Sequence, residues 1–162
     1  MKIFNMIHEH QKTIKFINTK QEQLDMVEEK DIKNLLKISG YSSTAIEYIL
    51  RKVNVGKIED PDAHTVYTGP CGDTMEIFLK IKPESKEIKE AKFLAVGCAG
   101  ALACGSALTE MVKGKTIEQA EKIDEEDVVN WLGSIPIQKI YCACLAKRTL
   151  KYAIKEYRNK HG

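Results

Sequence analysis

No stretch of this chain has the length and apolarity of a membrane span, and its amino terminus lacks the continuous apolar run of a secretory signal. Neither a membrane role nor export is expected. A strong charge of either sign is also missing: 25 Lys and Arg stand against 23 Asp and Glu, a formal net charge of +2. That balance gives no reason to expect nucleic acid or an anionic membrane as a partner. The first 40 residues have no Arg and carry acids, which argues against a mitochondrial transit peptide. No Cys-x-x-Cys knuckle occurs, so nothing local forces two thiols together. The cysteine count is odd, at five, and 162 residues that are 43% hydrophobic can bury a core without disulfide staples. Reduced thiols in a cytoplasm are therefore expected.

What is present divides into two parts. Residues 1–41 are rich in Lys, Gln, Glu and Asn, and Ile3, Ile7, Ile14, Ile17, Leu24, Val27, Ile32, Leu35 and Leu36 recur in places at helical spacing. A helical extension of one or two amphipathic helices is expected there, stopped near Ser39-Gly40. Residues 42–162 read as a single domain. Thr44 and Glu47 have capping-box spacing and predict a helix through Leu50 and Val53. From Thr74 to Lys82, Met75, Ile77, Leu79 and Ile81 alternate with Thr74, Glu76, Phe78, Lys80 and Lys82, the pattern of a half-buried strand. Pro83 to Lys86 is a turn and Ile88 to Val96 the returning strand, with Val66 to Thr68 adding a short third.

An Ala-rich helix buried on more than one side follows Cys98 and stops at Gly114. Thr116 with Gln119 caps a short helix, and Asp124 opens another through Trp131. A final helix runs from Cys142 to Arg158 with Leu150, Ile154 and Tyr157 facing inward. The expected fold class is α+β, a small three-stranded antiparallel sheet packed by helices. The acidic run Glu118, Glu121, Asp124 to Asp127 and the basic residues of the last helix read as solvated faces or as a docking surface for a protein partner.

Three cysteines stand where the backbone turns. Cys71 lies in Thr68-Gly69-Pro70-Cys71-Gly72-Asp73, Cys98 in Val96-Gly97-Cys98-Ala99-Gly100, and Cys142 just ahead of the last helical pattern. Glycine lets backbone approach a bound group closely, and a helix start favours the thiolate, the form that binds metal or attacks sulfur. The alternative for any one cysteine is inert core, since free Cys packs as a small hydrophobe. Cys104 and Cys144 are read that way.

The motifs Gly69-Pro70-Cys71-Gly72-Asp73, Gly97-Cys98-Ala99-Gly100-Ala101, Val112-Lys113-Gly114-Lys115-Thr116 and Cys142-x-x-Leu145-Ala146, in that order, strongly resemble the IscU/NifU-type iron-sulfur cluster assembly scaffold over residues 43 to 158. The resemblance implies that Cys71, Cys98 and Cys142 bind a nascent, transient 2Fe-2S cluster, and that Asp73 keeps it labile. It further implies sulfur from a cysteine desulfurase, with Cys142 as sulfur acceptor, and transfer to apo iron-sulfur proteins by a non-enzymatic scaffold. Whether the chain forms a homo-oligomer is left open by the sequence, self-association being one of three roles open to the helices of residues 1–41, with covering the sheet and docking the desulfurase. Soft thiolates suit such clusters, and a harder carboxylate keeps the site exchangeable. Taken alone, Asp73 is equally a turn or helix-cap carboxylate.

Two positions depart from the family pattern. Family members carry His before the third cysteine, where this chain has Tyr141, so the fourth ligand is open between Asp73, Cys144, Cys104, a partner's side chain and His64. The Leu-Pro-Pro-Val-Lys element of many relatives is Ile135-Pro136-Ile137-Gln138-Lys139 here. An alternative of another class is a zinc-dependent sulfurtransferase, in which Zn is held by Cys71, Asp73 and Cys98 while Cys142 accepts persulfide. The zinc-type relatives carry an insertion before the third cysteine that this chain lacks.

Overall fold

The computed structural model describes residues 22, 23, 25, 26 and 28–162, and its contacts divide the chain after Ile38, ahead of the boundary expected at 42. In the first unit, residues 28–38 form helix α1, where Lys33 pairs with Glu29 one turn away at 2.6 Å. The turn at Ser39-Gly40 ends it as expected, Gly40 having a φ of 96°. Ile3, Ile7, Ile14, Ile17, Leu24 and Val27 lie outside the described residues.

The second unit opens with α2, Ser43–Arg51. Its cap is Ser42, not Thr44: the Ser42 hydroxyl accepts from the Ala45 amide at 3.0 Å and donates to the Leu132 carbonyl. That single hydroxyl satisfies a free helix N–H and ties α2 to a distant segment, which a capping box at Thr44 could not do. The helix stops at Arg51 rather than Val53 because Lys52 turns into the left-handed region.

Strands β1 (Ala63–Thr68), β2 (Thr74–Ile81) and β3 (Ile88–Val96) form an antiparallel sheet in the order β1-β2-β3. The expected alternation holds on one face, where Met75, Ile77, Leu79 and Ile81 are buried. Phe78, assigned to the polar face, is buried too, because its cross-strand partner His64 stacks on it at 4.9 Å. β1 begins three residues before the expected Val66 and is paired with β2 throughout.

Helix α3 (Ala99–Val112) packs on β3 and is buried on nearly every side, from Gly100 through Thr109. Short α4 (Ile117–Ala120) and α5 (Glu125–Leu132) carry capping boxes at Thr116/Gln119 and Asp124/Asp127. A 3-10 turn at Ile137–Lys139 leads into α6 (Ile140–His161), which starts two residues before the expected Cys142. α6 lies across β1 and β2 and against α3, burying Ala143, Ala146, Leu150, Ile154 and Tyr157. Burying each large apolar side chain is worth about 1.5–3 kcal/mol, and Phe93, Leu108, Leu150 and Ile154 meet in this one core. The charged runs find each other: Arg158 grips Glu121 with two bonds of 2.7 and 2.8 Å, and Lys147 reaches Glu125 at 2.6 Å. Among the described residues no helix is long and apolar enough to cross a membrane.

Candidate metal centre

Strand register decides where the site lies. Thr68 pairs with Thr74, and Thr74 with Val96, so the loop 69–73 and the residues after β3 leave the same end of the sheet side by side. The loop closes on itself: the Gly69 amide donates to the Asp73 carbonyl at 2.9 Å and the Gly72 amide to the Gly69 carbonyl at 3.0 Å. The Asp73 carboxylate then accepts from the Cys98 amide at 3.4 Å. A side chain at position 97 would not leave it room, since a Cβ there would lie 2.5 Å from the Asp73 Cγ. Gly97 is thus the cradle of a carboxylate.

Cys98 caps α3 with extended backbone and no side-chain cap bond, so its thiol is not engaged by the helix. Across from it, α6 brings Cys142 down from its first turn. The two sulfurs lie 3.5 Å apart, and the Cys142 sulfur is 4.0 Å from Asp73 Oδ2. Gly100 permits this approach, a Cβ there standing 3.0 Å from the Cys142 sulfur. One ligand atom each from Asp73, Cys98 and Cys142 fall within 4.8 Å of one another. Two thiolates bound at about 2.3 Å in a tetrahedral shell stand about 3.8 Å apart, so the donors are close to ligating positions without rearrangement.

Electrostatics separate the donors. A helix start should favour the Cys142 thiolate, yet burial wins: its thiol is held far above the ordinary value, first by desolvation and then by Cys98, with Cys104 and Asp73 adding. A cation reverses that balance by replacing protons, so loading the site releases them. Lys139, at the mouth of α6, is held charged beyond the usual lysine range, chiefly by the Cys98 thiol. Tyr41 is 6% exposed, and its hydroxyl is pushed up to about 12, mainly by burial and then by Cys98, Cys142 and Cys104. Sequence reasoning missed both as site residues. The signal for Lys139 was its place one turn before Cys142; Tyr41 gave none, because only the fold brings residue 41 to residues 98 and 142.

The remaining sequence-predicted residues fall elsewhere. Cys71 is exposed, outside the three-donor cluster although on the same loop as Asp73. His64 is engaged by Glu76 at 2.5 Å on the sheet, and Tyr141 is exposed. Cys104 is fully buried with its thiol pushed up to about 12 by desolvation above all, as suits core packing. Of the fourth-ligand candidates in this chain, Asp73 is the one the fold brings to Cys98 and Cys142.

The family described as NifU-like N terminal domain matches residues 40–162. The chain is 45% identical to the iron-sulfur cluster assembly scaffold protein IscU 1 of Archaeoglobus fulgidus over 123 residues, spanning 75% of this chain and 79% of that one. It is 40% identical to the scaffold protein IscU of Aquifex aeolicus, over 75% of this chain and 78% of the relative. To that of Azotobacter vinelandii it is 38% identical, over 75% of this chain and 97% of the relative. The fold matches the crystal structure of a nitrogen-fixing NifU-like protein (N-terminal) from Brucella abortus with a TM-score of 0.61 at 15% identity, over 74% of this chain and 94% of that one.

Proposed function

The chain belongs to the NifU-like N-terminal domain family, and from that premise we propose that it is a scaffold on which a 2Fe-2S cluster is assembled and from which it is handed to apo iron-sulfur proteins. The observation that carries the reading is the convergence of Asp73, Cys98 and Cys142 within 4.8 Å, with Cys71 exposed on the loop that bears Asp73. Cys98 and Cys142 hold the cargo as soft thiolates, and Cys71 supplies a third from the solvent side. Asp73 supplies the exchangeable ligand, because a carboxylate is displaced by an acceptor's thiolate more readily than a fourth thiolate would be. Lys139 offsets part of the negative charge that two thiolates and a carboxylate gather.

Sulfur comes from a cysteine desulfurase, and the role is carrying rather than turnover, in a cytoplasm. The test is anaerobic reconstitution with iron and sulfide, followed by visible and Mössbauer spectra. Ser at Cys71, Cys98 or Cys142 should abolish or sharply weaken the 2Fe-2S signal, while Cys104→Ala should leave it. Asp73→Ala should slow transfer to an apo-ferredoxin. Wild-type cluster yield from the Cys71/Cys98/Cys142 triple Ser variant would overturn the reading.

A further inference from the structure

Helix α6 and the loop 69–73 each carry two chemically capable residues two positions apart, and each pair is split between two compartments. On α6, residues two apart lie about 200° round the helix. Cys142 accordingly joins the buried donor cluster, while Cys144 lines a separate cavity of about 210 Å³. On the loop, Asp73 joins the same cluster and Cys71 lines the same cavity as Cys144. The cavity's walls include Tyr67, Pro70 and Leu145, and Arg148 lies at its side with its guanidinium donating to the Tyr67 hydroxyl at 3.3 Å. Cys71 is exposed and Cys144 half-buried, whereas Cys142 is 3% exposed. A sulfur donor approaching this cavity from solvent therefore meets Cys71 and Cys144.

We propose that this cavity is a sulfane-sulfur receiving site in which Cys144 takes sulfur from a persulfide and passes it to Cys71. The proposal rests on the scaffold reading above, and it names where sulfur enters. The largely apolar walls suit a soft, polarizable sulfur chain, and Arg148 supplies a cation that draws in an anionic persulfide.

In the first step the Cys144 sulfur attacks the outer sulfur of the donor R–S–SH. The donor's S–S bond breaks, a new S–S bond forms on Cys144, and the donor leaves as R–SH with the proton that Cys144 gave up. In the second step the Cys71 sulfur attacks the outer sulfur of Cys144–S–SH, giving Cys71–S–SH and restoring the Cys144 thiol. Each step exchanges one S–S bond for another with no net oxidation, so no further reagent is needed.

The experiment uses the full chain, reduced and without iron, exposed in separate arms to cysteine persulfide and to a persulfide-charged cysteine desulfurase. Samples are alkylated at intervals and mapped by mass spectrometry. Sulfane sulfur should appear on Cys144 before Cys71 and should accumulate on Cys144 in Cys71→Ser. In Cys144→Ser and Cys144→Ala, each shown folded by a cooperative melt, the initial rate of Cys71 labelling should fall by about tenfold or more, the value of an intramolecular step. Labelling of Cys144 in both arms fits any persulfide as donor; labelling in the desulfurase arm alone identifies a protein segment as the donor. Absence of label on Cys144 in both arms of the Cys71→Ser protein overturns the proposal, as does an unchanged Cys71 rate in both Cys144 variants. Because iron is absent, this outcome is independent of cluster assembly: a chain that builds a cluster without labelling Cys144 refutes the relay alone, and one that labels Cys144 without building a cluster refutes the scaffold alone.

Discussion

Gly97→Ala should disable the Asp73 carboxylate without touching it. A Cβ at position 97 would stand 2.5 Å from the Asp73 Cγ and 2.7 and 2.8 Å from its two oxygens, so the carboxylate must swing away. Gly97 is not among the residues with positive φ, so alanine suits its backbone. The folding terms nearly cancel. Gly to Ala at a compatible position gains about 0.4–1 kcal/mol from the unfolded chain, and losing the Cys98 amide's bond to Asp73 costs about 0.5–1.5 kcal/mol. Stability should therefore change by less than about 1 kcal/mol by those two terms.

Metal binding should change far more. A hydrogen bond or ligand contact to a charged group is worth about 1.5–3 kcal/mol, or roughly 10- to 150-fold in affinity at 1.4 kcal/mol per decade. Titration with Co(II), read from its thiolate absorption bands, should show that loss in Gly97→Ala and in Asp73→Ala alike. The double variant should lose no more than either single one, since both remove the same donor. Wild-type Co(II) affinity in Gly97→Ala, with Asp73→Ala weakened, would refute the claim that the small residue at 97 exists to house the carboxylate.

Two further outcomes follow from burial. The metal-free protein should lose stability as pH rises above about 9: Cys104 releases its proton near the ordinary thiol value of 9.0 when unfolded but only at about 12 when folded, so the unfolded state binds fewer protons in that window. The slope should approach about 1.4 kcal/mol per pH unit for that one group, and Cys104→Ala should flatten it in pH-dependent urea melts. A chain beginning at Ser39 should fold cooperatively, whereas one beginning at Ser42 loses Tyr41, which is 6% exposed, and should be destabilised by about 3 kcal/mol in the same assay. Equal midpoints for the two chains would show that Tyr41 contributes nothing to the core.

The elements of this protein were legible in its sequence where local physics is sufficient. Alternation from Met75 to Ile81, the cap at Asp124 and the inward stripe of Leu150, Ile154 and Tyr157 are short-range patterns, and the fold keeps them. The turn contexts of Cys71, Cys98 and Cys142 correspond to the loop 69–73, the cap of α3 and the first turn of α6. Sequence patterns could not say which residues meet. Ser42 caps α2 because Leu132, 90 positions away, offers a carbonyl. Phe78 is buried because register sets His64 upon it. Asp73 reaches Cys98 because two hairpins end in register at Thr68, Thr74 and Val96, and Tyr41 joins the thiols through the packing of the whole second unit. The same helical rotation that sends Cys142 inward turns Cys144 to the cavity it shares with Cys71. Such contacts depend on register and packing summed over many residues, and no window of sequence contains them.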